Sequence, residues 1–243
     1  MSKPFLSLII PAYNEEPRLP GTLETIAAYL AGQSYNCEVL VIENGSTDAT
    51  WQIAEDFSQT HPEFRAVHID ENGKGLAIGT GMLAARGEWR MMLDADLSMP
   101  VDEIHRFIPP ELNDHQIAIA SREAPGAVRY DEPEVRHIGG RFMNLLIRVL
   151  ALPGIQDSQC GFKSFRGDVA DELFALQRVN GWGFDVEILF IARRKGYKIA
   201  ELGIPWYYHA FSHVRPIQDT WNVFWDLVRI RLNALRGIYG PAH

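Results

Sequence analysis

The first half of the chain alternates short apolar runs with amphipathic segments of helical period. Apolar runs of five or six residues between polar stretches are typical of buried strands, whereas apolar residues spaced three and four apart are typical of helices. The pattern predicts strands over residues 5–10, 38–42, 65–69, 89–93 and 116–120, and helices over residues 15–31, 47–59, 75–85 and 101–107. Such alternation predicts an α/β fold with a mostly parallel sheet and helices on both faces.

The second half is less regular and ends in a helix with two apolar faces. It predicts helices over residues 134–152, 184–195 and 217–236, and strands over residues 161–165 and 199–204. At about 100° per residue, one stripe of the last helix contains Trp221, Phe224, Trp225, Val228, Leu232 and Leu235. A roughly opposite stripe contains Val223, Leu227, Ile230 and Ala234. One stripe suffices for packing on the domain. The other indicates either a membrane surface or further protein contact, in a homo-oligomer or the core.

Polar loops follow four of the predicted strands, over residues 11–16, 43–48, 70–74 and 94–100. In parallel sheets covered by helices on both faces, ligands bind beyond the carboxyl ends of the strands. The four loops are therefore expected to lie side by side and to form the functional site.

The composition is globular, and the charge argues against nucleic acid as a partner. Of the 243 residues, 47% are hydrophobic and 22% are charged, and the formal net charge is −8. A chain this acidic is not a general nucleic-acid binder. However, residues 193–243 contain eight Lys or Arg and three Asp or Glu. This basic end predicts an anionic partner on one side of the molecule.

Asp94 and Asp96 directly follow the apolar strand predicted over residues 89–93. Two carboxylates at positions i and i+2 of a turn can both face a hard cation such as Mg²⁺ or Mn²⁺, whose other positions go to phosphate oxygens and water. Such a cation offsets the charge that develops on a departing nucleoside diphosphate. Asp-x-Asp alone is common in turns, but its position beyond a buried strand favours a metal-binding role.

The first loop offers groups suited to a nucleotide. Pro11 stiffens the exit from the strand, Tyr13 presents a ring face, and Asn14 and Glu15 can reach a base or a ribose. The alternative for Asn14 is that it caps the following helix. Both roles are compatible with one loop.

The second and third loops add further polar groups. Glu43 and Asn44 lie at a strand end, where a carboxylate can accept a hydrogen bond from a base, and Gly45 allows a tight turn. Lys74 lies between two glycines, which suits either approach to a ligand or a plain surface turn. The sequence has no P-loop spacing and no Gly-x-Gly-x-x-Gly fingerprint, which leaves little support for a nicotinamide cofactor.

Eight segments, in order, resemble family-2 glycosyltransferases of the GT-A fold, a Rossmann-like architecture. They are SLIIPAYNEE, VLVIENGSTDAT, NGKGLAIGTGM, MLDADLSMP, IASRE, DSQCGFKSF, GWGFDVEILFIARRKGYKIAELGIPW and SHVRPIQD. Within that family the chain is most similar to the dolichyl-phosphate and polyprenyl-phosphate sugar synthases, especially the dolichyl-phosphate β-glucosyltransferase type. It departs from many relatives at Glu43-Asn44, where they have two aspartates, so the contact with the base stays open.

The resemblance implies a set of site residues. The nucleotide-sugar would contact Pro11, Ala12, Tyr13, Asn14, Glu15, Glu43, Asn44, Gly45, Lys74, Asp94, Ala95 and Asp96. Mg²⁺ or Mn²⁺ would be held by Asp94 and Asp96. The acceptor phosphate would be bound by Arg122, Arg136, Ser212 and Arg215, and the catalytic residues would be Asp94, Asp96, Arg122 and Arg136. Asp185 and Glu187 are open between supporting roles at the site and structural ion pairs.

The expected function is inverting, metal-dependent transfer of a hexose, with glucose from UDP-glucose as the first expectation, to a polyprenyl or dolichyl phosphate. The alternatives are a mannosyltransferase that uses GDP-mannose, a family-2 enzyme with a water-soluble acceptor, and an inactive membrane-associated binding module. Residues 1–212 would form the catalytic domain, with a nucleotide-sugar half to about residue 100 and an acceptor half after it. Residues 213–243 would form an amphipathic extension with interfacial helices.

The expected location is the cytoplasm, with peripheral attachment to the inner face of the cell membrane. The sequence contains no apolar run of 18 residues and begins without a signal-peptide pattern. The predicted helices over residues 134–152 and 217–236 have more apolar surface than one packing face requires, so they are the expected membrane contacts.

Overall fold

The structure, a computed structural model, describes residues 3–131, 143–208 and 216–241. The elements up to residue 107 are β1 (Leu6–Ala12), α1 (Leu19–Ala31), β2 (Cys37–Asn44), α2 (Thr50–Thr60), β3 (Phe64–Ile69), α3 (Lys74–Ala84), β4 (Trp89–Leu93) and a 3₁₀ helix (Val101–Phe107). Then follow β5 (Ile117–Ser121), β6 (Val128–Tyr130), a helix over residues 143–150 that we call α4, β7 (Phe162–Arg166) and α5 (Gly167–Ala175). The last elements are α6 (Phe184–Arg194), β8 (Ile199–Gly203), β9 (Pro205–Tyr207) and α7 (Pro216–Leu235).

The main sheet has seven strands in the order β3-β2-β1-β4-β7-β5-β8. Neighbours are parallel except at β7, which runs antiparallel to both β4 and β5. A separate two-stranded parallel ribbon consists of β6 and β9. The predicted α/β fold with a mostly parallel sheet is therefore confirmed.

The strand registers bring the loops of the first half to one edge of the sheet. Ala12 at the end of β1 is paired with Glu43 of β2, and Glu43 is paired with His68 of β3. On the other side of β1, Ile9 pairs with Met92 of β4. The carboxyl ends of these parallel strands are therefore level, as ligand sites in such sheets require.

Both faces of the sheet are buried, which explains the continuous apolar character of the strands. Alternate residues of one strand enter opposite cores because side chains alternate across a strand. Ile9 of β1 packs on the face covered by α3, α5, α6 and α7, whereas Leu8 and Ile10 pack on the face that α1 and the 3₁₀ helix cover.

Helix α7 divides its two apolar stripes as its sequence predicts. Val223, Leu227 and Ile230 are buried in the core beside α6. On the other stripe, Trp221 is 61% exposed and Leu235 is 86% exposed. In the part of the chain that the structure describes, no helix combines the length and the apolar character needed to cross a bilayer.

Several elements differ from the predictions. The predicted first helix begins only at Leu19, because Pro20 is tolerated in the first turn of a helix but not further in. Residues 101–107 form a 3₁₀ helix instead of an α-helix, in a short stretch between Pro100 and Pro109. Helix α5 and the three-residue strands β6 and β9 were not predicted, and residues 134–142 of the predicted helix 134–152 lie outside the described residues. The predicted domain boundaries stay predictions.

The packing of α7 predicts a contrast between two leucines on the same helix. Leu227→Ala should lower the free energy of unfolding by about 2–5 kcal/mol, because it leaves a cavity in a closely packed core. Leu232→Ala should change it by less than about 0.5 kcal/mol, since Leu232 is exposed. Chemical denaturation of the two variants measures the difference, and equal losses would contradict the placement of α7.

Candidate active site

A cavity of about 460 Å³ opens at the carboxyl edge of the parallel strands. Its walls come from the loops after β1, β2, β3 and β4, from residues 159–161 before β7, and from residues 181–182 before α6. Lining residues are Pro11, Tyr13, Glu15, Arg18, Asn44, Asn72, Gly73, Lys74, Asp94, Ala95, Asp96, Ser98, Arg122, Gln159, Cys160, Gly161, Gly181, Trp182, Trp206 and Asn222. The four loops that the sequence singles out therefore meet in one cavity.

The structure brings most of the predicted site residues together, but not all of them to the cavity surface. Those that line it are Pro11, Tyr13, Glu15, Asn44, Lys74, Asp94, Ala95, Asp96 and Arg122. Those that do not line it are Ala12, Asn14, Glu43 and Gly45, whose direct contact with a nucleotide stays a prediction. Outside the described residues lie Arg136, Ser212 and Arg215, so their predicted contact with the acceptor phosphate also stays a prediction.

Lys74 and Asp94 form the central ion pair of the cavity. The Lys74 Nζ lies 2.5 Å from Asp94 Oδ1 and 5.2 Å from the centre of the Trp182 ring. Burial alone lowers the pKa of Lys74, but the negative charges of Asp94, Asp185 and Asp96 outweigh it and raise the pKa above its ordinary value. The ammonium group therefore stays charged at neutral pH and fixes the Asp94 carboxylate in place.

Gly161 leaves the room that the Asp94 carboxylate occupies. Strands β4 and β7 are antiparallel with Leu93 opposite Phe162, so the residues just beyond them, Asp94 and Gly161, come face to face. A Cβ atom at residue 161 would lie 1.9 Å from Asp94 Oδ2. Any side chain there would push the carboxylate away from Lys74.

Asp96 is held by the turn that it begins. Its Oδ1 accepts a hydrogen bond from the Ser98 backbone N–H at 2.9 Å. The Thr22 hydroxyl of α1 donates to the carbonyl oxygen of Ala95 at 2.6 Å. The Asp94-Ala95-Asp96 turn is thus tied to a neighbouring helix, which fixes the direction of both carboxylates.

Asn14 and Glu43, which do not line the cavity, join the loops to one another. Asn14 has φ 52°, a left-handed conformation that asparagine tolerates, and its Oδ1 accepts a hydrogen bond from the Thr47 N–H at 2.8 Å. Its own N–H donates to the Ser46 hydroxyl at 3.0 Å. The carboxylate of Glu43 accepts from the Ser46 N–H at 2.5 Å and contacts His68 Nδ1 at 2.5 Å. These contacts hold the first two loops in fixed relation.

Asn44 connects the same loops with the turn of Lys74. In the amide orientation that satisfies both groups, its nitrogen donates to the Ala12 carbonyl oxygen at 3.0 Å. Its oxygen accepts from the Gly73 N–H at 3.1 Å. One buried amide therefore links the ends of β1 and β2 to the start of α3.

Arg122 lines the cavity and is fixed by a buried carboxylate. Its Nε donates to Asp157 Oδ2 at 2.6 Å and its NH2 donates to Oδ1 at 3.0 Å, and Asp157 is fully buried. Burial alone raises the pKa of Asp157, but the charge and hydrogen bonds of Arg122 outweigh it and lower the pKa to about 2. The guanidinium also lies 5.6 Å from the centre of the Trp206 ring. This fork-to-fork pair presents a cation of fixed orientation.

Sequence reasoning missed several residues of the cavity. Arg18 precedes α1, and its guanidinium donates to Glu15 at 2.6 Å, so a third cation reaches the wall. The other missed residues are Asn72, Gly73 and Ser98 in the first half of the chain, and Gln159, Cys160, Gly161, Gly181, Trp182, Trp206 and Asn222 in the second half. The segment DSQCGFKSF, which the sequence resemblance includes, was the available signal for Gln159 to Gly161.

The donor set of the cavity fits a divalent cation that is shared with a ligand. Asp94 and Asp96 provide hard carboxylate oxygens on one turn. Among the described residues, no group of three or more His, Cys, Asp or Glu side chains could enclose a metal ion. Mg²⁺ commonly binds one or two carboxylates and completes its shell with phosphate oxygens and water. These two residues therefore suit a metal ion that arrives with a diphosphate.

Comparison with known proteins identifies the family to which the chain belongs. Residues 7–174 match Glycosyl transferase family 2, and the chain belongs to that family. It is 31% identical over 249 residues to a dolichyl-phosphate beta-glucosyltransferase of Dictyostelium discoideum, covering 97% of this chain and 76% of the relative. It is 32% identical over 250 residues to the dolichyl-phosphate beta-glucosyltransferase of Homo sapiens, covering 96% and 77%. The predicted family and glycosyltransferase class are confirmed.

Solved structures show the same fold. The glucosyl-3-phosphoglycerate synthase from Mycobacterium tuberculosis, in complex with Mn²⁺, UDP-glucose and phosphoglyceric acid, superimposes with a TM-score of 0.67. The match covers 93% of this chain and 79% of the synthase at 18% sequence identity. The predicted GT-A architecture is therefore confirmed.

The close approach of Gly161 and Asp94 predicts a steric variant with a matched control. Gly161→Ala should displace the Asp94 carboxylate, because the new Cβ atom would overlap it. A displacement of about 1 Å can lower a reaction rate about 100-fold, so the transfer rate should fall by about that much or more. Gly181→Ala adds the same methyl group to the cavity wall, but its Cβ would meet nothing within 4 Å, so its rate should stay near native. A Gly161→Ala enzyme with native kinetics would contradict the assigned role of this contact.

Proposed function

We propose that the protein transfers glucose from UDP-glucose to a polyprenyl or dolichyl phosphate, with inversion at the anomeric carbon. The observation that carries the proposal is the cavity itself, where the Asp94-Ala95-Asp96 turn meets three cations at the carboxyl edge of the sheet. The relatives described above are named for glucose transfer to dolichyl phosphate, which supports the same donor and acceptor class.

The reaction joins two anions, so its main obstacle is electrostatic. A phosphate monoester has a second pKa of about 6 and is mostly ionised at neutral pH, so it needs no strong base to become a nucleophile. One of its oxygens forms a bond to the anomeric carbon. The bond from that carbon to the diphosphate oxygen breaks, and the oxygen leaves with the electron pair. In-line attack of this kind inverts the configuration.

The side chains of the cavity are suited to offset this charge. Lys74, Arg18 and Arg122 line the wall, and each is already held by a carboxylate, from Asp94, Glu15 and Asp157 respectively. Charges fixed before the reaction need no reorganisation as negative charge develops on the leaving diphosphate. Asp94 and Asp96 would hold Mg²⁺ or Mn²⁺ against the diphosphate, and the metal would neutralise part of its charge.

The acceptor side of the cavity continues into apolar surface. Trp206 of β9 lines the cavity, and the next residue, Tyr207, stacks on Tyr130 of β6 with ring centres 4.6 Å apart. Both tyrosines are exposed. An exposed aromatic pair beside a cation-lined cavity suits an acceptor with a phosphate head and an apolar tail.

Helix α7 supplies a surface for attachment to the membrane in which such an acceptor resides. Its exposed stripe includes Trp221, Trp225 and Leu235, and Arg229 is exposed on the same helix. Tryptophan and leucine with flanking basic residues are typical of helices that lie in the membrane interface. We propose peripheral attachment through this stripe. Contact with a second copy of the chain is the alternative that a binding experiment separates.

The donor and acceptor are tested with the purified chain, radiolabelled UDP-glucose or GDP-mannose, and either a polyprenyl phosphate or a water-soluble acceptor such as phosphoglyceric acid. We expect label in the lipid fraction from UDP-glucose and Mn²⁺ or Mg²⁺, and loss of transfer on chelation.

Asp96→Asn should lower the rate by about 100-fold or more, because it removes a charged oxygen from the turn. Asp102→Asn changes an exposed carboxylate outside the cavity and should retain the native transfer rate. Label transferred only to the soluble acceptor would overturn the proposed acceptor.

Membrane attachment is tested by sedimentation with vesicles that contain anionic lipid. The double variant Trp225→Ser/Leu235→Ser should bind at least about tenfold more weakly, because it removes two apolar side chains from the interface. Leu83→Ser changes an exposed leucine on α3 and should bind as the unchanged chain does. Equal binding of all three proteins, or a dimer that the double variant disrupts, would contradict the membrane assignment.

A further inference from the structure

Glu187 is a fully buried carboxylate of α6 that does not line the cavity. Its Oε2 accepts hydrogen bonds from the backbone N–H groups of Arg178 and Val179, each at 2.8 Å. Its Oε1 accepts from the hydroxyl of Tyr239 at 2.5 Å. One side chain therefore joins the segment before α6 to the segment after α7.

Tyr239 is bound as firmly as Glu187. It is 1% exposed, and its hydroxyl oxygen accepts a hydrogen bond from Asn233 Nδ2 at 3.1 Å. Burial and the hydrogen bond to Glu187 raise the pKa of the hydroxyl, so it remains a donor across the physiological range. The two polar groups are satisfied by each other inside a core, where leaving either unpaired is costly.

The segment that Glu187 holds, residues 178–183, supports the turn of Lys74. The N–H of Leu76 donates to the carbonyl oxygen of Asn180 at 3.1 Å. A Cβ atom on Gly73 would lie 2.7 Å from that same oxygen, and one on Gly75 would lie 2.8 Å from the Val179 oxygen. The two backbones are thus in direct contact, and the Gln177 side chain also joins them, since its Nε2 donates to the carbonyl oxygens of Gly75 and Val179, each at 2.8 Å.

The same segment reaches the cavity with its own residues. Gly181 and Trp182 line the wall, and the Trp182 ring is the one beneath the Lys74 ammonium. Helix α7 packs closely against the segment from the other side. A Cβ atom on Gly183 would lie only 2.5 Å from Oδ2 of Asp226, a residue of α7. Movement of residues 178–183 would therefore move Lys74 and, through it, Asp94.

We propose that Glu187 is a positioning residue for the nucleotide diphosphate. Glu187 binds Tyr239 and so anchors the segment after α7 to residues 178–183. This contact places Trp182 and Lys74 at the donor site. The donor is the nucleotide-sugar of the proposed function, on which this inference rests. Loss of the Tyr239 hydroxyl should therefore weaken donor binding, although neither residue of the pair contacts the cavity.

The test is the affinity for UDP in a buffer with Mn²⁺, measured by calorimetry on the full chain well below its unfolding temperature. Tyr239→Phe should weaken UDP binding by about fivefold or more, as expected for coupling between linked sites. Tyr197→Phe is the matched control, because it also removes a hydroxyl that donates to a carboxylate, that of Glu172, and neither residue lines the cavity. Tyr197→Phe should leave the UDP affinity unchanged, even if it lowers the melting temperature as much as Tyr239→Phe does.

A conservative variant of the carboxylate separates position from charge. Glu187→Gln can keep its oxygen where Oε2 accepts the two backbone N–H groups, and its amide nitrogen can donate to the Tyr239 oxygen. It should bind UDP nearly as the unchanged chain does. Kinetically, Tyr239→Phe should raise the KM for UDP-glucose and leave the KM for the acceptor unchanged, a split that general destabilisation does not produce.

Hydrogen exchange supplies a second measurement. We expect Tyr239→Phe to exchange the amide hydrogens of residues 73–76 and 178–183 faster than the unchanged chain does. Tyr197→Phe should exchange them at the native rate. Native UDP affinity in Tyr239→Phe, or equal weakening in Tyr197→Phe, would overturn the positioning role alone. If the unchanged chain does not bind UDP, the proposed donor and the role of Glu187 both fail.

Discussion

The ion pair between Lys74 and Asp94 is the contact on which the rest of the site depends, because it joins the start of α3 to the end of β4 across the cavity. The two residues meet because parallel strands end at one level of the sheet. Gly161 leaves space for the carboxylate, and Trp182 lies beneath the ammonium. A cation and an anion held at 2.5 Å fix each other's position before any ligand arrives.

The other charged groups of the cavity follow the same principle. Arg18 and Arg122 are also held by carboxylates, so the wall presents cations whose directions are set by the fold. Preorganised charges of this kind stabilise a transition state without moving, which suits a reaction between two anions. Helix α7 adds a second layer of organisation, since its buried stripe packs on the core and its exposed stripe is left for a surface or partner.

Much of the fold and half of the site follow from local patterns in the sequence. Apolar runs predict the strands, and polar residues at their carboxyl ends, such as Asp94 and Asn44, predict the cavity, because both signals are local. The role of Gly161 is not local, since it depends on the antiparallel register of β7 against β4, and an apolar run carries no direction. Trp182 reaches the cavity only because the glycines beside Lys74 allow backbone contact with residues 178–183. Three-residue strands such as β6 and β9 are too short to give a period.

The central claim is that Asp94 and Asp96 gather a divalent cation and a nucleotide diphosphate at one edge of the sheet. A crystal structure of the full chain with UDP and Mn²⁺, with anomalous data for the metal, tests it most directly. We expect an anomalous peak bonded to a carboxylate oxygen of this turn and to diphosphate oxygens, within the cavity that Lys74 lines. A nucleotide bound elsewhere, or a metal peak with no contact to either aspartate, would contradict it.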